Sequence, residues 1–361
     1  MHTKLFIPGP VDVRKDVLNK MANPQIGHRG KEASELQERI EEKLKVVFKT
    51  KNHVLISTSS GSGLMEGAIR SFTKKRAAVF SCGAFGDKFY KICTANGVPA
   101  DVCKIEMGKG FSPQEVIDFL NKGDYDLLTL QHNETSTGVT NPIGEIIASV
   151  KEWHPEIIIV VDAVSSLGGM DIPADDWGID VLITSSQKCI GLPAGISFAS
   201  ISERAIEKAR GIENRGLYFD YVTLYDFNLE KHQYPSTPTL PHMFALDYQL
   251  DRILEEGLEN RYARHRALAD MVREFAEKYF KLFVEDEKLR SDTVTCIANT
   301  RNIDIGELNK KLTERGYIIS NGYKALKDIT FRISHMADYT EEDVRGLLDA
   351  MIEVLGLEVD D

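Results

Sequence analysis

The sequence predicts an α/β protein: a mostly parallel, doubly wound sheet in a large domain, followed by a smaller α+β domain. Three observations carry this expectation. Short β-rich runs alternate with helical stretches between residues 53 and 199, the pattern of a parallel sheet with helices on both faces. The run Ile157-Ile158-Ile159-Val160-Val161 is continuously apolar before Asp162, as expected of a strand buried on both faces. A long helical region after Pro241 then leads into a shorter strand and helix alternation. The chain has 361 residues, and single cores stop growing at roughly 250–300 residues. The expected division is a large domain over 16–255 and a small one over 256–361, with residues 1–15 packing against the latter.

In order along the chain, Leu36, Ile40, Leu44 and Val47 recur at helical spacing, predicting an amphipathic helix over 35–48. Strands are expected over 53–57, 77–81, 101–105, 127–131, 157–162, 181–185 and 196–199. Helices are expected between them over 64–72, 86–96, 113–121 and 143–153. A polar, proline-marked connection over 226–241 precedes one long helical region reaching about residue 280. Beyond it the pattern predicts a strand over 293–299, a helix over 305–315, a strand over 329–334 and a helix over 341–355.

Composition narrows the function. There are 44 Lys and Arg against 55 Asp and Glu, a net charge of −11, which disfavours a nucleic-acid backbone as partner. The apolar runs are far too short to cross a bilayer, and the N-terminus lacks the pattern of a signal peptide, so the expected location is cytoplasmic. Cys82, Cys93, Cys103, Cys189 and Cys296 show no CxxC spacing, so no metal framework is expected.

In a doubly wound sheet, ligands bind beyond the carboxyl ends of the strands. The first expected strand ends in Ser57-Thr58-Ser59-Ser60-Gly61-Ser62-Gly63 before a helix, a place where backbone N–H groups face an anion. The apolar strand ends in Asp162, and the next ends in Gln187-Lys188. A carboxylate that follows five apolar residues is costly to bury without a positive partner. A phosphate cradle, a buried acid and an amine at one sheet edge are together what pyridoxal phosphate requires. The GxGxxG of a nicotinamide-dependent dehydrogenase is missing from the first loop.

The segments PGPVDV, IGHRGKE, TSSGSGLMEGA, CGAFGDKF, HNETSTGV, VDAVSSLGG, SSQKCIGLPAG, YPSTPTLP and TFRISHM, in this order over nearly the whole chain, resemble the class V aminotransferases of pyridoxal-phosphate fold type I. The resemblance implies a cofactor and a set of roles. Lys188 would hold the cofactor covalently and move the proton between the substrate α-carbon and cofactor C4′. Asp162 would pair with the pyridinium nitrogen. Ser60, Gly61 and Ser62 would cradle the phosphate, Gln187 would contact the ring hydroxyl, Phe85 would stack on the ring and Ser136 would touch the cofactor near it. Tyr234 and Thr237 would reach the phosphate of a neighbouring subunit, implying a homodimer with shared sites. Arg332 would anchor the substrate α-carboxylate, a task for the planar guanidinium.

The substrates implied are a small amino acid and a 2-oxo acid. Gly27-His28-Arg29-Gly30-Lys31-Glu32 looks like the segment with which phosphoserine aminotransferases bind the substrate phosphate, making phosphoserine with 2-oxoglutarate the first expectation. GSGLMEGA and SQKCIGLPAG look closer to the branch that acts on serine or alanine with glyoxylate or pyruvate. A non-catalytic binding protein on the same scaffold would have lost Lys188 or Asp162, and both are present. A cysteine desulfurase would need a reactive late cysteine on a mobile loop, whereas Cys296 lies in the strand-like TVTCIA.

Overall fold

In a computed structural model, residues 2–358 are described. Residue 1, in the expected N-terminal segment 1–15, and residues 359–361, in the expected small domain, lie outside the described residues. Seven strands form one sheet in the order His53–Ser57, Ser197–Ile201, Val181–Ser185, Ile158–Asp162, Leu127–Gln131, Ala77–Ser81 and Ala100–Lys104. Ser197–Ile201 runs antiparallel to both its neighbours, and the remaining pairs are parallel. Six strands therefore point their carboxyl ends toward one edge.

Alternation along each strand splits the core into two layers. Leu128, Leu130, Ile159, Val161 and Leu182 pack with the helices Lys31–Phe48, Ile143–Trp153 and Leu240–Glu256. Leu127, Ile158, Val160, Val181 and Ile183 pack on the opposite face with Gly61–Phe72, Ala84–Ala95 and Glu203–Arg210. Strands apolar at every position follow from this two-sided burial.

A second sheet has the order Lys4–Phe6, Tyr317–Asn321, Thr330–Ser334, Val294–Ala298 and Lys281–Leu282. Lys4–Phe6 joins it in parallel with Tyr317–Asn321. The helices Leu258–Tyr279, Ile305–Glu314 and Glu341–Leu355 cover it, with Phe6, Leu268, Leu312, Phe331, Ile333 and Leu347 in one apolar cluster.

Three sequence expectations need correction. The long helical region is two helices, Leu240–Glu256 and Leu258–Tyr279, broken at Gly257, whose φ of 80° and ψ of 135° no helix continues. The stretch after residue 226 is not all connection, because Tyr221–Lys231 is a helix. Its start is capped by the Asp220 side chain, and its buried Asn228 is held by Gln37 at 2.7 Å and Glu41 at 2.8 Å. That polar cross-link hides the helix from a reading based on apolar spacing. The helix expected from residue 64 begins at Gly61, drawing the glycine and serine turn into its first turn. Among the described residues, no helix is long and apolar enough to cross a membrane.

At Gly257 an added Cβ would meet nothing nearer than Asn260 Nδ2 at 3.5 Å, so a substitution there is opposed by backbone conformation rather than by space. Gly257→Ala is expected to lower stability by about 1–3 kcal/mol, read as a lower urea midpoint; an unchanged midpoint would show that the break between the helices is not set by this residue.

Candidate active site

The strand Val181–Ser185 runs into a single wide turn, Ser186–Ile190, in which Lys188 leaves helical geometry at φ −120° and ψ −132°. Gly191, at φ 79°, closes the turn in the left-handed region. Lys188 is 9% exposed, and its Nζ donates to the Pro8 carbonyl. Burial pushes its amine down to about 8. The segment over 7–10 crosses directly above it: a Cβ on Gly9 would lie 2.6 Å from Lys188 Nζ and 2.8 Å from Cε, and Gly9 has φ +109°. Val11 N–H donates to the Gln187 carbonyl at 3.2 Å, tying the same segment to the turn.

Asp162 ends the neighbouring strand, 4% exposed, and accepts the Val164 N–H at 2.9 Å. It forms no ion pair among the described residues, and burial raises its carboxyl to about 6. Beyond the strand His53–Ser57, Ser60 stands before the helix Gly61–Phe72 with no side-chain cap and no acidic residue in the first turn. Gly61 N–H donates to Ser185 Oγ at 3.3 Å. A Cβ on Gly61 would lie 2.7 Å from Val164 Cγ2, and one on Gly63 would lie 2.6 Å from the Phe219 ring. Glycine at 61 thus lets the helix start lie against the turn after Asp162, and glycine at 63 lets it lie against Phe219, just before the helix Tyr221–Lys231. Gln187 accepts from Ser185 Oγ at 2.6 Å, which orients its amide beside Lys188.

Phe85 sits at the start of the helix Ala84–Ala95, whose N-cap, Gly83, has no side chain. The cap comes from elsewhere in the chain. Fully buried Glu134 accepts Phe85 N–H at 2.9 Å, Gly86 N–H at 3.1 Å, Ser136 N–H at 3.0 Å and Ser136 Oγ at 2.6 Å. Ser136 Oγ in turn accepts Ala84 N–H at 3.0 Å. Burial raises the Glu134 carboxyl despite these donors. Ser136, expected near the cofactor ring, therefore has its hydroxyl engaged in fixing this helix start. The Phe85 ring lies parallel to Tyr323 at 6.0 Å and 13°.

Arg332, on the strand Thr330–Ser334, is 5% exposed. Its guanidinium donates to the carbonyls of Thr135 at 3.2 Å and Asn321 at 3.1 Å and lies 5.4 Å from the Tyr323 ring centroid. It has no carboxylate partner among the described residues, and its charge helps depress the Lys188 amine.

Among the remaining expected residues, Tyr234 places its side chain beside Ser57 and the Thr58 backbone, at the end of the strand His53–Ser57. Arg29 is exposed and donates to the carbonyls of Tyr234 and Pro235, each at 2.6 Å, while His28 is half-buried. Tyr234 is buried within its own protomer, edge-on to Tyr218 at 6.3 Å, and Thr237 is exposed. Glu134, Tyr323, Gly9 and Arg261 were not singled out from sequence. Fully buried Arg261 joins the two key turns, donating to the carbonyls of Gly168 at 2.8 Å and Cys189 at 2.7 Å and pairing with Glu256 at 2.7 Å and Asp338 at 3.1 Å. A signal existed for Glu134, an acid in the hydroxyl-rich segment Asn133-Glu134-Thr135-Ser136-Thr137 after a strand. Nothing local marks Arg261.

This architecture, with its parallel-rich sheet and appended smaller sheet, is that of the pyridoxal-phosphate-dependent transferases of fold type I. Within that class the chain belongs to the class-V aminotransferase family, whose model matches residues 12–347. It is 38% identical to an uncharacterized aminotransferase of Methanocaldococcus jannaschii, over 98% of this chain and 94% of that one. It is 29% identical to the serine–glyoxylate aminotransferase of Methylorubrum extorquens, over 95% of this chain and 89% of that one. The crystal structure of an alanine–glyoxylate aminotransferase from Nostoc superposes with a TM-score of 0.92 at 27% identity, covering 98% and 96% of the two chains. The protein is a pyridoxal-phosphate-dependent transaminase. Its sheet edge fits the cofactor: a buried carboxylate lacks a cation, a buried amine is shifted toward neutrality, and a helix start carries no acid.

Because the folded-state Asp162 carboxyl is raised from 3.8 to about 6, ionising it disfavours the folded apoprotein. That cost is absent below the unfolded value of 3.8 and fully present above about 6. At roughly 1.4 kcal/mol per unit it is on the order of 2–3 kcal/mol. Asp162→Asn is therefore expected to raise the thermal midpoint of the apoprotein at pH 7.5 and to have little effect at pH 4. A lower midpoint at pH 7.5 would contradict an uncompensated carboxylate. Gly9→Ala, which drives a methyl into Lys188 and strains the backbone, is expected to reduce turnover at least tenfold; full activity would exclude close contact of residues 7–10 with the lysine during catalysis.

Proposed function

We propose that the protein transfers the amino group of a small L-amino acid, serine or alanine, to a small 2-oxo acid such as glyoxylate or pyruvate. The observation that carries the reading is Arg332, a buried guanidinium without a carboxylate partner on the Lys188 side of the site. It offers a fork to the α-carboxylate shared by donor and acceptor. The preference for a small, uncharged substrate rests on Arg29, whose guanidinium is engaged by the Tyr234 and Pro235 carbonyls. The similarity to serine–glyoxylate and alanine–glyoxylate aminotransferases points the same way. Phosphoserine, the first expectation from Gly27-His28-Arg29, would require Arg29 to leave both carbonyls.

The bound cofactor supplies an electron sink for the electron pair left when the substrate α-carbon loses its proton. Lys188 would hold the cofactor through its amine, and that buried amine is placed to take the α-proton as a base. A value near 8 leaves a substantial neutral fraction at physiological pH. Asp162, buried and without an ion-pair partner among the described residues, would hold the ring nitrogen in its charged form. Ser60, Gly61 and Ser62 would offer the helix start to the phosphate, and Gln187 would take the ring hydroxyl. Phe85, fixed through Glu134 and Ser136 and lying parallel to Tyr323, would offer its ring face to the cofactor. Donor and acceptor use the one pocket in turn, so the kinetics are ping-pong. A homodimer completes the proposal: exposed Thr237 is available to a neighbouring subunit, whereas Tyr234 would first have to leave its own protomer's core.

The test is the absorbance spectrum of the purified holoenzyme before and after L-serine, L-alanine or L-phosphoserine. Serine or alanine is expected to convert the visible cofactor band to that of the amino form; conversion by phosphoserine alone would overturn the substrate assignment. Lys188→Ala is expected to lose turnover by a factor of at least about 10²–10⁴ while remaining folded by circular dichroism. Arg29→Ala is expected to leave the Michaelis constant for serine within about twofold, since it acts on a loop; a selective rise for phosphoserine would restore the phosphate-binding role.

A further inference from the structure

Lys88 lies against the glycine and serine turn at the start of the helix Gly61–Phe72. It lies one turn after Phe85 on the helix Ala84–Ala95, half-buried. Its Nζ donates to Ser62 Oγ at 2.8 Å and lies 5.2 Å from the Phe85 ring centroid. Neighbouring Asp87 is spent elsewhere, pairing with Lys104 at 2.7 Å and accepting from Ser81 Oγ at 2.9 Å. Lys88 itself forms no ion pair among the described residues. Ser62 belongs to the first turn of Gly61–Phe72, the positive end of a 12-residue helix with no acid in that turn. An ammonium group laid against a helix N-terminus is an unfavourable pairing of like partial charges, unless an anion occupies the angle between them. The ammonium also acts through space on both Asp162 and Lys188, which locates it inside the same site.

We propose that Lys88 is a ligand of the cofactor phosphate, supplied by a second helix to the turn formed by Ser60, Gly61 and Ser62. The inference rests on the reading that this turn takes the phosphate. A phosphate monoester carries close to two negative charges near neutral pH. The four-carbon stem of the lysine lets Nζ move from the Ser62 hydroxyl onto a phosphate oxygen without moving either helix. The arrangement differs from a nucleotide loop, where the lysine follows the glycines in sequence; here it arrives from the next helix.

Cofactor affinity tests this directly. The full chain, freed of cofactor, is titrated with pyridoxal phosphate and separately with pyridoxal, which has the ring and aldehyde but no phosphate, with visible absorbance as the readout. Lys88→Met and Lys88→Gln are expected to weaken pyridoxal phosphate at least tenfold, or about 1.4 kcal/mol, and to leave pyridoxal within about twofold. Lys88→Arg, which keeps the charge, is expected to retain affinity for the phosphorylated form within about threefold. Inorganic phosphate should raise the thermal midpoint of the wild-type apoprotein more than that of Lys88→Met. Unchanged pyridoxal phosphate affinity in Met and Gln variants, or equal loss of both ligands in the two, would overturn the role of Lys88 while leaving the cofactor reading intact. Wild-type protein that bound pyridoxal and pyridoxal phosphate equally would instead remove the phosphate site, and the proposal with it.

Discussion

Charge taken out of water and left without a partner is the constraint around which this structure is arranged. Asp162, Lys188 and Arg332 are each less than a tenth exposed, and none is ion-paired among the described residues. Burial of an ionised group costs several kcal/mol unless it is compensated. The pKa directions follow: the acid is raised and the two bases are lowered. The two apolar layers on the large sheet supply the surplus stability that this edge consumes, and the strained groups sit where a charged cofactor and a substrate carboxylate would compensate them.

The polar groups that do not face the site are handled in the opposite way. Arg261 is even more buried than Lys188, yet it is fully engaged by two carboxylates and two carbonyls. It bridges the turns following Asp162 and Lys188 to Asp338, which lies just past the last strand of the smaller sheet. Glu134 likewise spends its carboxylate on the helix that carries Phe85. Satisfied networks of this kind hold rigidly because breaking any one bond strands a buried charge. The contrast between satisfied and unsatisfied buried charges separates groups that position from groups that await a partner.

Much of the fold was legible because both sheet faces are buried, so strands read as uninterrupted apolar runs ending in polar residues. Leu127–Gln131 and Val181–Ser185 fall on the expected bounds, and Ile158–Asp162 within one residue of them. Elements stabilised by distant polar contacts were not legible. The helix Tyr221–Lys231 depends on Asn228 meeting Gln37 and Glu41, about 190 residues away in sequence, and Tyr317–Asn321 is a strand of mixed burial between the edge strand Lys4–Phe6 and the central strand Thr330–Ser334. The break at Gly257 is a single backbone conformation that apolar spacing does not report.

By itself, the sequence determined the alternation of strands and helices, the chemistry gathered at strand ends, and the likeness to aminotransferases, since these depend on residue type and local order. The tertiary structure alone decided which charges are paired and which are free. It set Lys88 beside Ser62, laid Gly9 over Lys188, turned Arg29 onto backbone carbonyls and closed Tyr234 into its own protomer. Pairing is a matter of distance and burial between residues remote in sequence, and no local pattern encodes either.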